Sequence, residues 1–132
     1  MEQKNLYIPG DLVKYNNDLG KVTEIGTSDW YDGAYTCKLR FFSSHNYFTV
    51  GQCDIEPIPL TPKILEKNGW KKINIMPYPT YAKGKLSEYS LFLDRDVWRF
   101  KYDGRILPVE IKFIHQLQHL LFGLGLNSEM KI

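Results

Sequence analysis

From Gly10 to Ile58 the sequence is cut into short alternating runs by Gly, Asn, Asp and Ser, and that cadence limits the folds open to it. Gly10 to Tyr15 reads as a strand with Leu12 and Lys14 on one face and Val13 and Tyr15 on the other. Asn16-Asn17-Asp18 breaks it, and Gly20 to Ile25 returns as the second arm of a hairpin, with Val22 and Glu24 on one side and Thr23 and Ile25 on the other. Ala34 to Phe42 is the longest candidate strand. Its Tyr35, Cys37, Leu39 and Phe41 are expected to face a core, leaving Thr36, Lys38, Arg40 and Phe42 outside. Tyr47 to Val50, a turn at Gly51-Gln52-Cys53, and Asp54 to Ile58 complete five strands, with Pro57 suited to an edge. Five short strands joined by tight turns favour a small barrel, because closure removes the free edges on which chains associate.

Past Pro59 the pattern changes. Thr61 as N-cap, Pro62 at the first helical position and Gly69 beyond the end frame a helix of about two turns. It is too short to stand alone, so Ile64, Leu65 and Trp70 must bury against the rest of the protein. Lys71 to Glu88, interrupted by Pro77 and Pro79, reads as irregular. Ser90 to Leu93, Val97 to Tyr102 and Arg105 to Val109 read as three strands, the last two joined by an Asp103-Gly104 hairpin turn. From Lys112 to Phe122 the period lengthens, and Phe113, Ile114, Leu117, Leu120, Leu121 and Leu124 form one helical stripe. Glu129 to Ile132 is expected to return as a tail strand. The fold class is therefore α+β, with an N-terminal barrel over residues 1–60 and an α-β-β-β-α lobe over residues 61–132 packed against it through a hinge helix.

A chain of 132 residues supports one ordinary domain or two very small lobes sharing a core. Hydrophobic residues at 43% against 24% charged exclude disorder, and 14% aromatics suit strands and contact surfaces. The net charge of +2 supplies no general attraction to nucleic acid or acidic membranes, so any such binding must come from a local patch. No apolar run is long enough to span a membrane and Met1 to Asn5 begins no signal peptide, so a cytoplasmic location is the default. Cys37 and Cys53 are expected as buried, reduced thiols.

Chemical motifs are few. His115 and His119 stand one helical turn apart, as in zinc proteases, but Gln116 occupies the position of the general base. No further ligands accompany them, so a solvated helix face or a subunit contact is expected, with no metal and no cofactor. Asp94 and Asp96 flank Arg95 in a turn where carboxylates serve turn chemistry. Nucleophile elbows and phosphate-cradling glycine loops are missing, so no catalytic residue is assigned and the chain is expected not to be an enzyme. Lys38 and Arg40, on the outward strand face, could contact phosphate. Lys67, Lys71, Lys72, Lys83 and Lys85, interleaved with Tyr78 and Tyr81, have the composition of a weak single-strand nucleic-acid surface.

The opening "GDLVKY…GKVTEI", the long middle strand and the closing "FTVGQCDIEPIPL" resemble the SH3-like superfamily, including Tudor and KOW-type modules. In such barrels the loops 29–32 and 44–47 flank a binding groove. The resemblance therefore makes Trp30, Tyr31 and Tyr47 candidates for holding a peptide, a modified side chain or a base. The segments "DIEPIPLTPKILEKNGW", "LFLDRDVWRFKYDG" and "VEIKFIHQLQHLLFGLGL" are similar to a family of short uncharacterised proteins from Bacteroides-type bacteria and their phages or mobile elements. That resemblance implies a phage or mobile-element setting without specifying chemistry. The expected function is a noncatalytic protein-interaction or assembly module, with self-association among its partners. A nucleic-acid accessory protein and a small-nucleotide or host-signal binder with a counter-defence role are the alternatives. The seam between lobes, where Trp30, Trp70 and Trp98 would converge, is a further place to seek function.

Overall fold

Asn16 and Asn17 both adopt positive φ (49° and 65°), the geometry of a two-residue turn whose twist matches the strands on either side. They join β1 (Leu12–Tyr15) to β2 (Asp18–Ser28) in a computed structural model that describes residues 6–28, 34–74, 77–84 and 88–132. β3 (Ala34–Phe41) and β4 (Tyr47–Gly51) continue the antiparallel meander. A single 3₁₀ turn at Gln52–Asp54 then redirects the chain so that β5 (Glu56–Pro57) pairs with the other side of β1. The strand order is β4-β3-β2-β1-β5. β4 and β5 are not paired with each other, so hydrogen bonding does not close the sheet.

One register shift changes the expected faces of β2. A bulge between Val22 and Glu24 inserts Thr23 as an extra residue. The alternation resets there, which sends both Val22 and Ile25 to the first core where unbroken alternation had separated them. That core also holds Tyr7, Val13, Cys37, Leu39, Phe41, Val50 and Ile55.

α1 (Pro62–Lys67) follows its sequence signals. The Thr61 hydroxyl accepts from Ile64 N–H at 3.3 Å, Pro62 opens the helix, and Gly69 takes the left-handed conformation (φ 85°) beyond its end. The next stretch departs from the irregular segment expected. β6 (Lys71–Lys72) and β7 (Thr80–Lys83) form one side of a second antiparallel sheet, ordered β10-β9-β8-β7-β6 with β8 (Tyr89–Asp94), β9 (Val97–Tyr102) and β10 (Arg105–Ile106). Pro77 and Pro79 mask β7 in the sequence because they precede it, leaving its backbone donors intact. β10 ends at Ile106, short of the expected strand to Val109; Leu107 N–H still donates to the Phe100 carbonyl at 2.9 Å, and the chain next bridges the sheet at Ile111, opposite Trp98.

α2 (Ile114–Gly123) carries its own N-terminal cap: Gln116 Oε1 accepts from Phe113 N–H and Lys112 N–H at 3.2 and 2.8 Å. Ile114, Leu117 and Leu121 are its buried stripe. They meet Tyr81, Leu91, Trp98 and Phe100 from the second sheet and Leu65 and Trp70 from the α1 region. The tail forms no strand. Its neighbour is α1, whose backbone groups are already used, so the Asn68 amide takes their place: Lys131 N–H donates to Oδ1 at 2.7 Å and Nδ2 donates to the Lys131 carbonyl at 2.8 Å.

Among the described residues the architecture is thus α+β, two antiparallel sheets with two short α-helices. Leu12, Ile58 and Leu60, all from the first sixty residues, belong to the second core. β1 is therefore shared: Val13 faces one core and Leu12 the other, as alternation along a strand requires. Among the described residues no helix is long and apolar enough to cross a membrane.

Candidate functional site

The ladder between β3 and β4 determines which side chains share the outer face of the first sheet. Arg40 lies opposite Tyr47 on one side and opposite Lys21 on the other, so the three form a row across β2, β3 and β4. One step along, Lys38 stands opposite Glu24 and Thr49. The Phe41 N–H bonds to the Asn46 carbonyl, which fixes the phase of the ladder and makes Arg40–Tyr47 a non-hydrogen-bonded pair, the kind whose side chains lie closest. Lys38 Nζ sits 5.4 Å from the Tyr47 ring centroid, within cation–π range. Arg40 Nη2 is 3.3 Å from His45 Nδ1.

The structure therefore brings together Lys38, Arg40 and Tyr47 of the residues singled out from the sequence. Trp30 and Tyr31 lie outside the described residues. Lys21 was missed; only the register, which places it beside Arg40, reveals it. Among the described residues Lys21, Lys38 and Arg40 form no salt bridge, whereas Lys14 on the same face is paired with Glu56 at 3.8 Å. Tyr47 is 54% exposed. The strip thus offers unpaired cations beside an accessible aromatic ring, suited to a carboxylate-bearing or phosphate-bearing ligand.

At the other end of this face, α2 clamps the segment before β1. Gln118, buried, accepts from Leu12 N–H at 2.9 Å and donates to the carbonyls of Gly10 and Ser128 at 3.0 and 3.2 Å. Asp11, 1% exposed, accepts from Ile8 N–H at 2.9 Å and from His119 Nε2 at 2.7 Å. The His115 ring lies 5.1 Å from Tyr7 and 5.5 Å from His119. These histidines are neither on a solvated helix face nor left for a subunit, as the sequence suggested; they join the two halves of the chain. Burial lowers the His115 pKa, with Asp11 opposing and His119 adding to that shift. Among the described residues no three of His, Cys, Asp and Glu converge as a metal site.

The other candidate residues lie apart from this strip. Cys37 is buried, and desolvation followed by the Asp11 charge pushes its thiol up to about 11, so it holds no thiolate at neutral pH. Cys53 is exposed rather than buried, because the 3₁₀ turn rotates it outward. Arg99 bonds Asp94 at 3.1 Å and Glu110 at 3.4 Å, an ordinary surface ion pair cluster. In the lysine-rich stretch Tyr81 is buried beneath the second sheet and unable to stack on a base, Lys67 is spent on the Ile132 carbonyl at 2.7 Å, and Lys85 is outside the described residues. Trp70 and Trp98 do converge, but as core residues, with Trp98 Nε1–H bonded to the Leu60 carbonyl at 3.2 Å. A seam cleft of about 220 Å³ opens between Ile8, Lys21, Gln118, Phe122 and Met130, below the volume of a typical small-ligand pocket. No family model, curated protein or solved structure matches the chain.

Proposed function

We propose that this chain is a noncatalytic protein-interaction module that seats an acidic segment of a partner on the outer face of its first sheet. The row Lys21–Arg40–Tyr47, with Lys38 over the tyrosine ring, carries this reading: among the described residues three cations without a salt-bridge partner share one face with an exposed aromatic that can cover an apolar side chain. The guanidinium of Arg40 takes a carboxylate in bidentate fashion, and the lysines act as point charges beside it.

In the same reading the first sixty residues form an SH3-like barrel. A single meander wraps its own core, a bulge coils β2, and β5 returns to the far side of β1. Residues 61–132 then act as a second lobe that braces the barrel through α2. A phage or mobile-element setting rests on the sequence resemblance alone.

The test is a titration of the ¹⁵N-labelled protein with a short peptide of glutamate and tyrosine, followed by amide and side-chain resonances. Shifts at Lys21, Lys38, Arg40 and Tyr47, lost in Arg40→Glu, are expected. Shifts elsewhere, or none, refute the site. In parallel, an oligothymidylate that bound more tightly than the peptide, with log affinity falling at about −0.7 per phosphate contact against log salt, would replace the protein partner by a single strand.

A further inference from the structure

The four sheet edges of this protein are not treated alike. β5 is the dipeptide Glu56–Pro57, β6 is Lys71–Lys72 and β10 is Arg105–Ile106, so three edges are two residues long and blunted by charge or proline. These are the means by which proteins keep edges from pairing. β4 has none of them: Tyr47-Phe48-Thr49-Val50-Gly51 is five residues long, without charge or proline. Two large side chains on this edge strand are exposed, Tyr47 (54%) and Phe48 (57%).

The phase of the ladder shows which backbone groups are free there. Because the Phe41 N–H bonds to the Asn46 carbonyl, the hydrogen-bonded pairs of β3 and β4 are Leu39–Phe48 and Cys37–Val50. Tyr47 and Thr49 form the alternate pairs, so their N–H and C=O groups point away from β3 toward the open edge.

We infer that the β4 edge pairs antiparallel with β4 of a second copy of this chain, about a two-fold axis at Phe48. That register sets Tyr47 against Thr49 of the other copy and Thr49 against its Tyr47, each pair exchanging two backbone hydrogen bonds from the groups that face outward. Phe48 then meets its own counterpart in a non-hydrogen-bonded pair, where side chains approach most closely and aromatic contacts stabilise. Every residue used is exposed in the single chain. The edge is uncharged, so its own side chains bring no like charges together, and the nearest cationic residues across the axis, Lys38 and Arg40 of the other copy, have their backbones three strand spacings apart, about 14 Å. The product is a continuous ten-stranded sheet carrying two basic strips side by side. Because edge pairing buries much less than the roughly 1,200 Å² of a stable interface, the dimer is weak and depends on concentration. The pairing uses the strand edge and no ligand, so it stands or falls separately from peptide binding at Lys21 and Arg40.

Sedimentation equilibrium on the full chain tests it. The mass is expected to rise with concentration from the 15.5 kDa monomer toward twice that value and no further. Thr49→Pro removes an N–H that points outward and takes no part in the β3 ladder, so it is expected to keep the monomer folded and abolish the dimer. Phe48→Lys places a charge at the axis and is expected to do the same. A chain still monomeric at about 1 mM, where an association of only about 4 kcal/mol would register, overturns the pairing. So does growth beyond two copies. Should Thr49→Pro fail to fold, Phe48→Lys decides alone, and dimerisation retained in either folded variant also overturns it.

Discussion

Gln118 is a single side chain on which the joining of the two halves depends, and replacing it by Met isolates its polar role because the two side chains are nearly isosteric. In the native protein its amide meets Leu12 N–H, the Gly10 carbonyl and the Ser128 carbonyl. Met keeps the packing and answers none of the three. The Leu12 donor is buried, and leaving it unpaired costs about 1–3 kcal/mol. Gly10 and Ser128 are partly exposed, so water recovers most of what they lose and together they add about 1 kcal/mol. Gln118→Met is therefore expected to lower stability by about 2–4 kcal/mol, a large share of the roughly 7–20 kcal/mol usual for a chain of this size. Urea unfolding followed by tryptophan fluorescence reads this as a lower midpoint at unchanged m-value. A loss below about 1 kcal/mol would show that the clamp is not holding α2 to β1, and a changed m-value would mean that the two halves no longer unfold together.

Further outcomes follow from particular groups. Leu12→Ala removes a side chain of the first sheet from the second core, and a loss of about 2–5 kcal/mol in one cooperative calorimetric transition is expected; two separated transitions would contradict the shared core. The lowered pKa of His115 means that the unfolded chain binds its proton first as pH falls, so stability declines from about pH 6.5 down to the folded value and is level above; in thermal melts against pH, His115→Gln should flatten that slope, which for one proton is at most about 1.4 kcal/mol per pH unit. Tyr7, Asp11, His119 and Phe113 surround that imidazole, and an unchanged slope in His115→Gln would refute its part in the pH dependence. Ellman's reagent at neutral pH should modify Cys53 alone, with Cys37 reacting only after unfolding; rapid reaction of both thiols would contradict the burial of Cys37. Thr61→Ala should cost about 0.5–2 kcal/mol in the same urea assay through the lost cap, and no loss would mean that water replaces it.

What the sequence made legible is local. The Asp103-Gly104 turn adopts positive φ at both residues (49° and 78°), and Thr61 and Pro62 start a helix, because these signals act over a few bonds. Lys38 and Arg40 were visible because alternation along one strand predicts a shared face, and Tyr47 through the resemblance to SH3-like barrels. Lys21 was not, since its place beside Arg40 depends on the pairing of two strands, and pairing register is a long-range property. The bulge at Thr23 was invisible for the same reason, being a feature of the pair and not of either strand. The histidines misled because spacing on a helix says which side chains are neighbours and nothing about what covers them. Here the cover is Tyr7 and Asp11, more than a hundred residues away in the chain.

Alternation in β1 has one more consequence, for where binding can occur. Leu12 and Lys14 share the outer face of the first sheet with Lys21, Lys38, Arg40 and Tyr47, and among these it is Leu12 that the second core buries. α2 reaches it through Gln118 and His119, and Phe122 and Met130 border it at Lys21 across the small cleft. The part left open carries the unpaired cations. Its far border is the uncharged β4 edge, where Tyr47 belongs to both surfaces: its ring lies under Lys38 while its backbone groups face outward. A partner segment seated on the strip would run alongside that edge, so a second copy paired there would extend the groove rather than block it. On this geometry dimerisation and peptide binding reinforce each other, and the apparent peptide affinity should rise with protein concentration in the parent chain but not in Thr49→Pro.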